Sequence, residues 1–121
     1  MKIENLFKEF IIINASDELE IIETYNFNLD EIAEIDRGTE SEIDDSLGFG
    51  ESITLLSNVS AFIFFIIAEK VVERGIEVSK AKLLEVLLEN KEKIVKLSKE
   101  RYDIDVESVV SKIIYFLEDK K

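Results

Sequence analysis

The chain has 121 residues, of which 46% are hydrophobic and 35% charged, and it carries a net charge of −12 at pH 7. This length and composition are typical of one globular domain with its own hydrophobic core, and they exclude an intrinsically disordered tail. Because the sequence contains no cysteine and no histidine, a disulfide scaffold, Ser-His-Asp and Cys-His catalysis, and the usual zinc motifs are also excluded.

The net negative charge of the chain comes entirely from its first 51 residues. Residues 1–51 contain fifteen acidic residues against Lys2, Lys8 and Arg37, whereas residues 52–121 contain twelve residues of each sign. Nucleic acids and anionic membranes require a basic surface on the proteins that bind them. The distribution therefore argues against both as partners, and it favours a basic protein as the partner.

The N-terminal region is predicted to begin with two helices. An amphipathic helix is predicted over residues 3–14 from the spacing of its apolar residues, which are Ile3, Leu6, Phe7, Phe10, Ile11 and Ile13. Ser16 or Asp17 is expected to cap a second helix, Asp17–Tyr25, whose first turn carries carboxylates that suit the helix dipole. Alternation of apolar residues over residues 19–27 leaves a short N-terminal β element as the alternative.

The next segment combines a short helix with a loop. Asn28 is the predicted N-cap of a helix over Leu29–Asp36, and Gly38 is expected to end that helix because glycine readily adopts the left-handed conformation. Thr39–Gly50 is rich in serine, glycine and acidic residues, so it is predicted to be a loop.

A central helix is predicted over residues 52–74, with Gly75 at its end. It contains the longest uncharged stretch of the chain, Ile53–Ala68, and within this stretch Ala61–Ala68 is apolar on every side. A helix that is apolar all round is typical of a protein interior. A membrane-spanning helix needs about 20 apolar residues, whereas this stretch has 16 residues that include Thr54, Ser57, Asn58 and Ser60. We therefore expect a buried core helix.

Two further helices complete the predicted fold. Ser79 is expected to cap a helix over Lys80–Tyr102, and Asp105 a last helix over Val106–Asp119. Together these elements predict a single all-α domain, a bundle of about five helices around the central one. Nothing in the first thirty residues resembles a signal peptide, so a cytoplasmic location is expected.

Carboxylates with enzyme-like spacing occur at Glu31 and Glu34, an ExxE pair, and at Glu42 and Asp45, an ExxD pair. The pattern resembles that of the all-α nucleotide pyrophosphohydrolases, which use such pairs on successive helices, and the resemblance implies Mg²⁺-dependent hydrolysis. Only seven residues separate the two pairs here, which leaves no room for two full facing helices. We therefore favour a protein that is not an enzyme and needs neither a metal nor a cofactor.

The same acidic stretch is the candidate binding surface. Residues 30–51 contain nine acidic residues and one arginine, and their mutual repulsion destabilises the fold. Aromatic residues flank the stretch, as in an interface with an apolar centre and a charged rim. The residues predicted to contact a partner are Asp30, Glu31, Glu34, Asp36, Glu40, Glu42, Asp44, Asp45 and Phe49. A solvated loop that only maintains solubility is the alternative interpretation.

These observations predict a small acidic protein that binds and inhibits a basic protein, with the immunity protein of a bacterial nuclease toxin as the leading hypothesis. A nuclease must be basic to hold phosphate, and complementary charge gives fast association and tight pairing. A viral inhibitor of a host nuclease would carry the same charge. A helical adaptor or a homodimeric structural protein, using the exposed part of Ile53–Ala68, is the hypothesis from a different class.

Overall fold

The computed structural model describes residues 2–23, 56–102 and 104–118. Its helices are α1 (Ile3–Asn14), a 3-10 turn (Ser16–Glu18), α2 (Leu19–Glu23), α3 (Leu56–Glu73), α4 (Lys80–Glu89), α5 (Lys91–Arg101) and α6 (Val106–Leu117). They pack against one another as a bundle, and these ranges contain no strand. The prediction of an all-α bundle is therefore confirmed, and the alternative of a strand is wrong for residues 19–23. The predicted helix Leu29–Asp36 and loop Thr39–Gly50 lie outside the described residues.

Helix α1 has the predicted bounds, and it buries Leu6, Phe7, Phe10 and Ile11 on one face. Ile13 was grouped with this face by its spacing, but its side chain is 69% exposed. The prediction is wrong for Ile13 because this residue lies at the edge of the apolar face, in the last turn of the helix.

Four phenylalanine rings join α1, α3 and α6. The ring of Phe10 lies 5.6 Å from the rings of both Phe64 and Phe116, and Phe7 lies 5.8 Å from Phe64. All of these contacts are edge-to-face, which is the geometry that aromatic quadrupoles favour. The cluster therefore fixes the first and last described helices against the middle of the chain.

Helix α3 is the central helix, as predicted, and it contacts α1, α4, α5 and α6. The residues that it buries fully or nearly so include Val59, Ala61, Ile63, Phe64 and Ile67. Phe65 alone in the Ala61–Ala68 stretch is exposed, at 40%, so the helix reaches the surface along one line. Among the described residues, no helix is both long enough and apolar enough to cross a membrane.

Gly75 ends the central helix, as predicted. Its φ angle is +71°, and its amide donates to the Val72 carbonyl while the amide of Ile76 donates to the Val71 carbonyl. This pair of hydrogen bonds is the Schellman motif, which satisfies carbonyls that the helix leaves without partners. A residue with a Cβ atom would be strained at this φ angle.

The predicted single helix over residues 80–102 is wrong, because the chain forms two helices that meet at Asn90. Asn90 has φ −116° and ψ 17°, its amide donates to the carbonyls of both Val86 and Leu87, and its side-chain amide also donates to Val86. A side chain that bonds nearby backbone competes with the regular helix ladder. The break lets α4 and α5 both contact α6.

The apolar residues of this region differ in burial. Leu83, Val86, Leu87 and Ile94 are buried, whereas Leu88 and Leu97 are exposed. The sequence around α4 is apolar at five of six consecutive positions from Leu83 to Leu88. Periodicity alone therefore does not distinguish which of these residues face the core.

The caps predicted for the last two segments are confirmed. The Ser79 hydroxyl accepts from the Lys82 amide at 3.2 Å, and the Asp105 carboxylate accepts from the Ser108 amide at 3.2 Å. Helix α6 ends at Leu117, two residues before the predicted end, and it buries Val106, Val109, Val110, Ile113, Phe116 and Leu117.

Two buried serines provide a test of this packing. The Ser98 hydroxyl is buried and has no hydrogen-bond partner in the described part of the chain, whereas the Ser60 hydroxyl donates to the Leu56 carbonyl at 2.6 Å. A buried hydroxyl without a partner costs about 1–3 kcal/mol. We predict that Ser98→Ala raises the free energy of unfolding by about 1 kcal/mol, while Ser60→Ala, the matched control, does not. Urea denaturation of both variants measures the effect, and a loss of stability in Ser98→Ala would contradict it.

Candidate binding site

The predicted acidic surface lies in the part of the chain that the structure does not describe. The nine residues from Asp30 to Phe49 that were predicted to contact a partner all fall within residues 24–55, as do the four carboxylates of the ExxE and ExxD pairs. The acidic surface therefore stays a prediction. The described residues show instead how the two ends of this segment are held.

Glu18 connects the chain before the acidic segment to the helix that follows it. One oxygen of its carboxylate accepts from the Ser57 amide at 2.8 Å, and the other accepts from the Leu56 amide at 3.3 Å. These are the first two amides of α3, and the first four amides of any helix have no partner within the helix. Helix α3 has no acidic residue in its own first turn, so Glu18 supplies the negative charge that favours the positive end of its dipole.

This contact joins the chain before residues 24–55 to the chain after them. Only α2, five residues long, separates Glu18 from the start of the segment, and at 1.5 Å per residue it advances the chain by about 8 Å. Leu56, the first described residue after the segment, bonds Glu18 directly. The described residues on either side of the segment therefore meet at the first turn of α3.

The contact of Glu18 with the first turn of α3 is called the junction from here on. The described residues near this junction are acidic as well. Asp17, Glu20 and Glu23 are exposed, and the sequence has no lysine or arginine between Lys8 and Arg37. Like charges in one region add to a common field. The carboxylates of the 3-10 turn and α2 therefore extend the acidic sequence onto the described surface.

Glu18 was missed as a structural residue in the sequence analysis. It was assigned to the first turn of its own helix, whereas it lies in a 3-10 turn and caps a helix 38 residues further along the chain. No local pattern indicates a contact of this sequence separation. The serine and leucine that it binds offer only backbone amides, which carry no residue-specific signal.

Within residues 2–23, 56–102 and 104–118, no group of three or more acidic, histidine or cysteine side chains lies in an arrangement that could hold a metal ion. The carboxylate of Glu18 is occupied by two backbone amides.

Substitution of Glu18 tests the junction. Glu18→Gln keeps the length of the side chain but removes its charge and one of its two acceptor oxygens. We predict that it lowers the free energy of unfolding by about 1–2 kcal/mol, which is the size of effect that the loss of a helix cap has in other proteins. Asp17→Asn is the matched control, because the Asp17 side chain is exposed. Thermal denaturation of both variants is the measurement, and equal melting temperatures for Glu18→Gln and wild type would refute the capping role.

Comparison with protein-family models, with curated proteins and with solved structures found no match to this chain.

Proposed function

We propose that this chain is a small acidic binding protein of the cytoplasm that inhibits a basic protein, as the immunity protein of a bacterial nuclease toxin does. The observation that carries the proposal is the concentration of negative charge in one segment of the sequence, with Glu18 before that segment bonded to the first turn of α3 after it. The proposal assigns partner contacts to the acidic residues Asp30–Asp45 and to Phe49.

The residues after the acidic segment support the proposal because their charges are balanced. Exposed ion pairs join Arg74 to Glu89 at 3.1 Å and Lys99 to Glu107 at 2.8 Å. The hydrogen bond and the charge of Glu89 both raise the pKa of Arg74 above its usual value. With twelve residues of each sign after residue 51, the bundle adds little net field, and the field of the molecule comes from its first 51 residues.

The junction at Glu18 supports the proposal on energetic grounds. A run of carboxylates with one arginine repels itself and disfavours the compact state. The two hydrogen bonds between the charged carboxylate of Glu18 and the first turn of α3 stabilise the compact state and offset part of this cost. The four-ring phenylalanine cluster and the central helix α3 supply a rigid support beneath the junction.

Inhibition in this proposal works by competition for the nuclease cleft. A nuclease binds the phosphates of its substrate with lysine and arginine, and carboxylates presented together occupy the same positions. Complementary fields accelerate the encounter, and pairs that become buried slow dissociation. An inhibitor encoded by a virus against a host nuclease would act by the same chemistry, and the identity of the gene beside this one distinguishes the two sources.

Charge reversal at the centre of the segment tests the proposal. We predict that Asp44→Lys with Asp45→Lys weakens binding to a basic partner by about a hundredfold or more, because like charges in contact across an interface cost several kcal/mol. Wild type and variant are immobilised side by side and exposed to an extract of the native host. Proteins retained by wild type alone are identified by mass spectrometry and assayed for nuclease activity with and without the chain.

The matched control is Glu92→Lys with Glu100→Lys, which changes the net charge equally but on the exposed surface of α5. This control should bind as wild type does. A retained partner that both double variants lose equally would show a dependence on net charge alone. A retained partner that is acidic, or that the Asp44→Lys, Asp45→Lys variant binds normally, would refute the acidic surface as the binding site.

A further inference from the structure

A groove between α1 and α6 gathers apolar side chains at the surface. Seven large apolar side chains are exposed among the described residues, and three of them, Ile12, Ile13 and Tyr115, line this groove. Their exposed fractions are 48%, 69% and 64%, and the groove has a volume of about 480 Å³. Contiguous apolar surface on a small protein is typical of an interaction site.

The floor of the groove is rigid. Phe116 forms part of the lining and belongs to the phenylalanine cluster, with its ring 5.6 Å from that of Phe10. The ammonium group of Lys80 lies 4.5 Å from the centre of the Phe116 ring, a cation–π contact. The groove is thus formed by regular helices and packed rings, so binding there needs little ordering of the protein.

Charges of opposite sign lie on the two sides of the groove. Glu9 projects from α1 and Lys112 from α6, and both line it. Neither is among the residues that form the ion pairs Arg74–Glu89, Lys82–Glu85 and Lys99–Glu107 of the described part of the chain. An apolar surface with one acidic side and one basic side is complementary to itself.

We propose that this groove is the interface of a homodimer, in which a second copy of the chain occupies it. In a two-fold dimer the same patch meets itself, so a residue that contacts another is contacted by it in return. Ile12, Ile13 and Tyr115 of both copies then form the apolar centre, and Glu9 of each copy meets Lys112 of the other. The groove is lined by Glu9, Lys80 and Lys112, so it lacks the acidic excess that would repel a second copy elsewhere.

The other exposed apolar residues do not form such a surface. Phe65 and Val72 lie on one line of α3, but Glu69 lies between them on that line. Leu97 lines a shallow groove with four charged residues, Glu69, Lys70, Glu73 and Lys93. This surface of α3, on which the sequence analysis placed a possible dimer contact, therefore offers single apolar side chains among charges. The groove between α1 and α6, by contrast, offers several exposed apolar side chains that lie next to one another.

The molecular mass in solution tests the proposed interface. Wild type is expected to sediment as a dimer of the 13.9 kDa chain and to dissociate on dilution. Ile13→Glu places a charge at the centre of the interface, so we predict a rise of at least about tenfold in the dimer dissociation constant. Val72→Glu is the matched control, because it makes a closely similar substitution near the end of another helix, at a side chain that is 64% exposed. Circular dichroism of both variants verifies that helical content is retained.

Charge exchange provides a second test, specific to the self-complementary geometry. Glu9→Lys and Lys112→Glu should each weaken the dimer, because each leaves like charges facing across the two-fold axis. The double variant Glu9→Lys, Lys112→Glu should restore it. A monomeric wild type, an unchanged dimer in Ile13→Glu, equal dissociation in Val72→Glu, or no recovery in the double variant would each overturn the proposal. Binding of a basic partner by the acidic segment is measured separately and does not depend on these results.

Discussion

The edge-to-face contacts of Phe7, Phe10, Phe64 and Phe116 are the interactions on which the rest of the described fold depends. They join the first helix, the central helix and the last described helix through rings that are more than fifty residues apart along the chain. Once these three helices are fixed, α4 and α5 pack against both α3 and α6. The floor of the α1–α6 groove and the position of Glu18, four residues after α1, follow from the same contacts.

The break at Asn90 shows how one side chain adjusts this packing. A single helix over residues 80–102 would extend about 34 Å at 1.5 Å per residue, nearly twice the length of α6. By ending α4 and starting α5 in a new direction, Asn90 allows both helices to contact α6. The hydrogen bonds that Asn90 donates to Val86 account for this residue at the break, and no ligand is needed to explain it.

Local patterns predicted the parts of the fold that depend on local physics. The bounds of α1, the end of α3 at Gly75 and the caps at Ser79 and Asp105 are set by apolar spacing and by side chains within a few residues. Where apolar residues run consecutively, as from Leu83 to Leu88, the pattern does not define a single buried face. The contact of Glu18 with Leu56 and Ser57 depends on tertiary structure alone, so the one described residue that organises the candidate site could not be found from the sequence. The acidic surface itself stays a prediction from charge.

The junction at Glu18 has a consequence for how such a protein can change over time. When two points of a chain are already held together, the entropy lost in closing the loop between them grows only with the logarithm of its length, about 0.6 kcal/mol for each doubling. An insertion or a deletion between residues 24 and 55 therefore adds little to the entropy cost of closing the chain while the Glu18 contact persists. A contact of this kind tolerates changes in the length of the chain between its two partners.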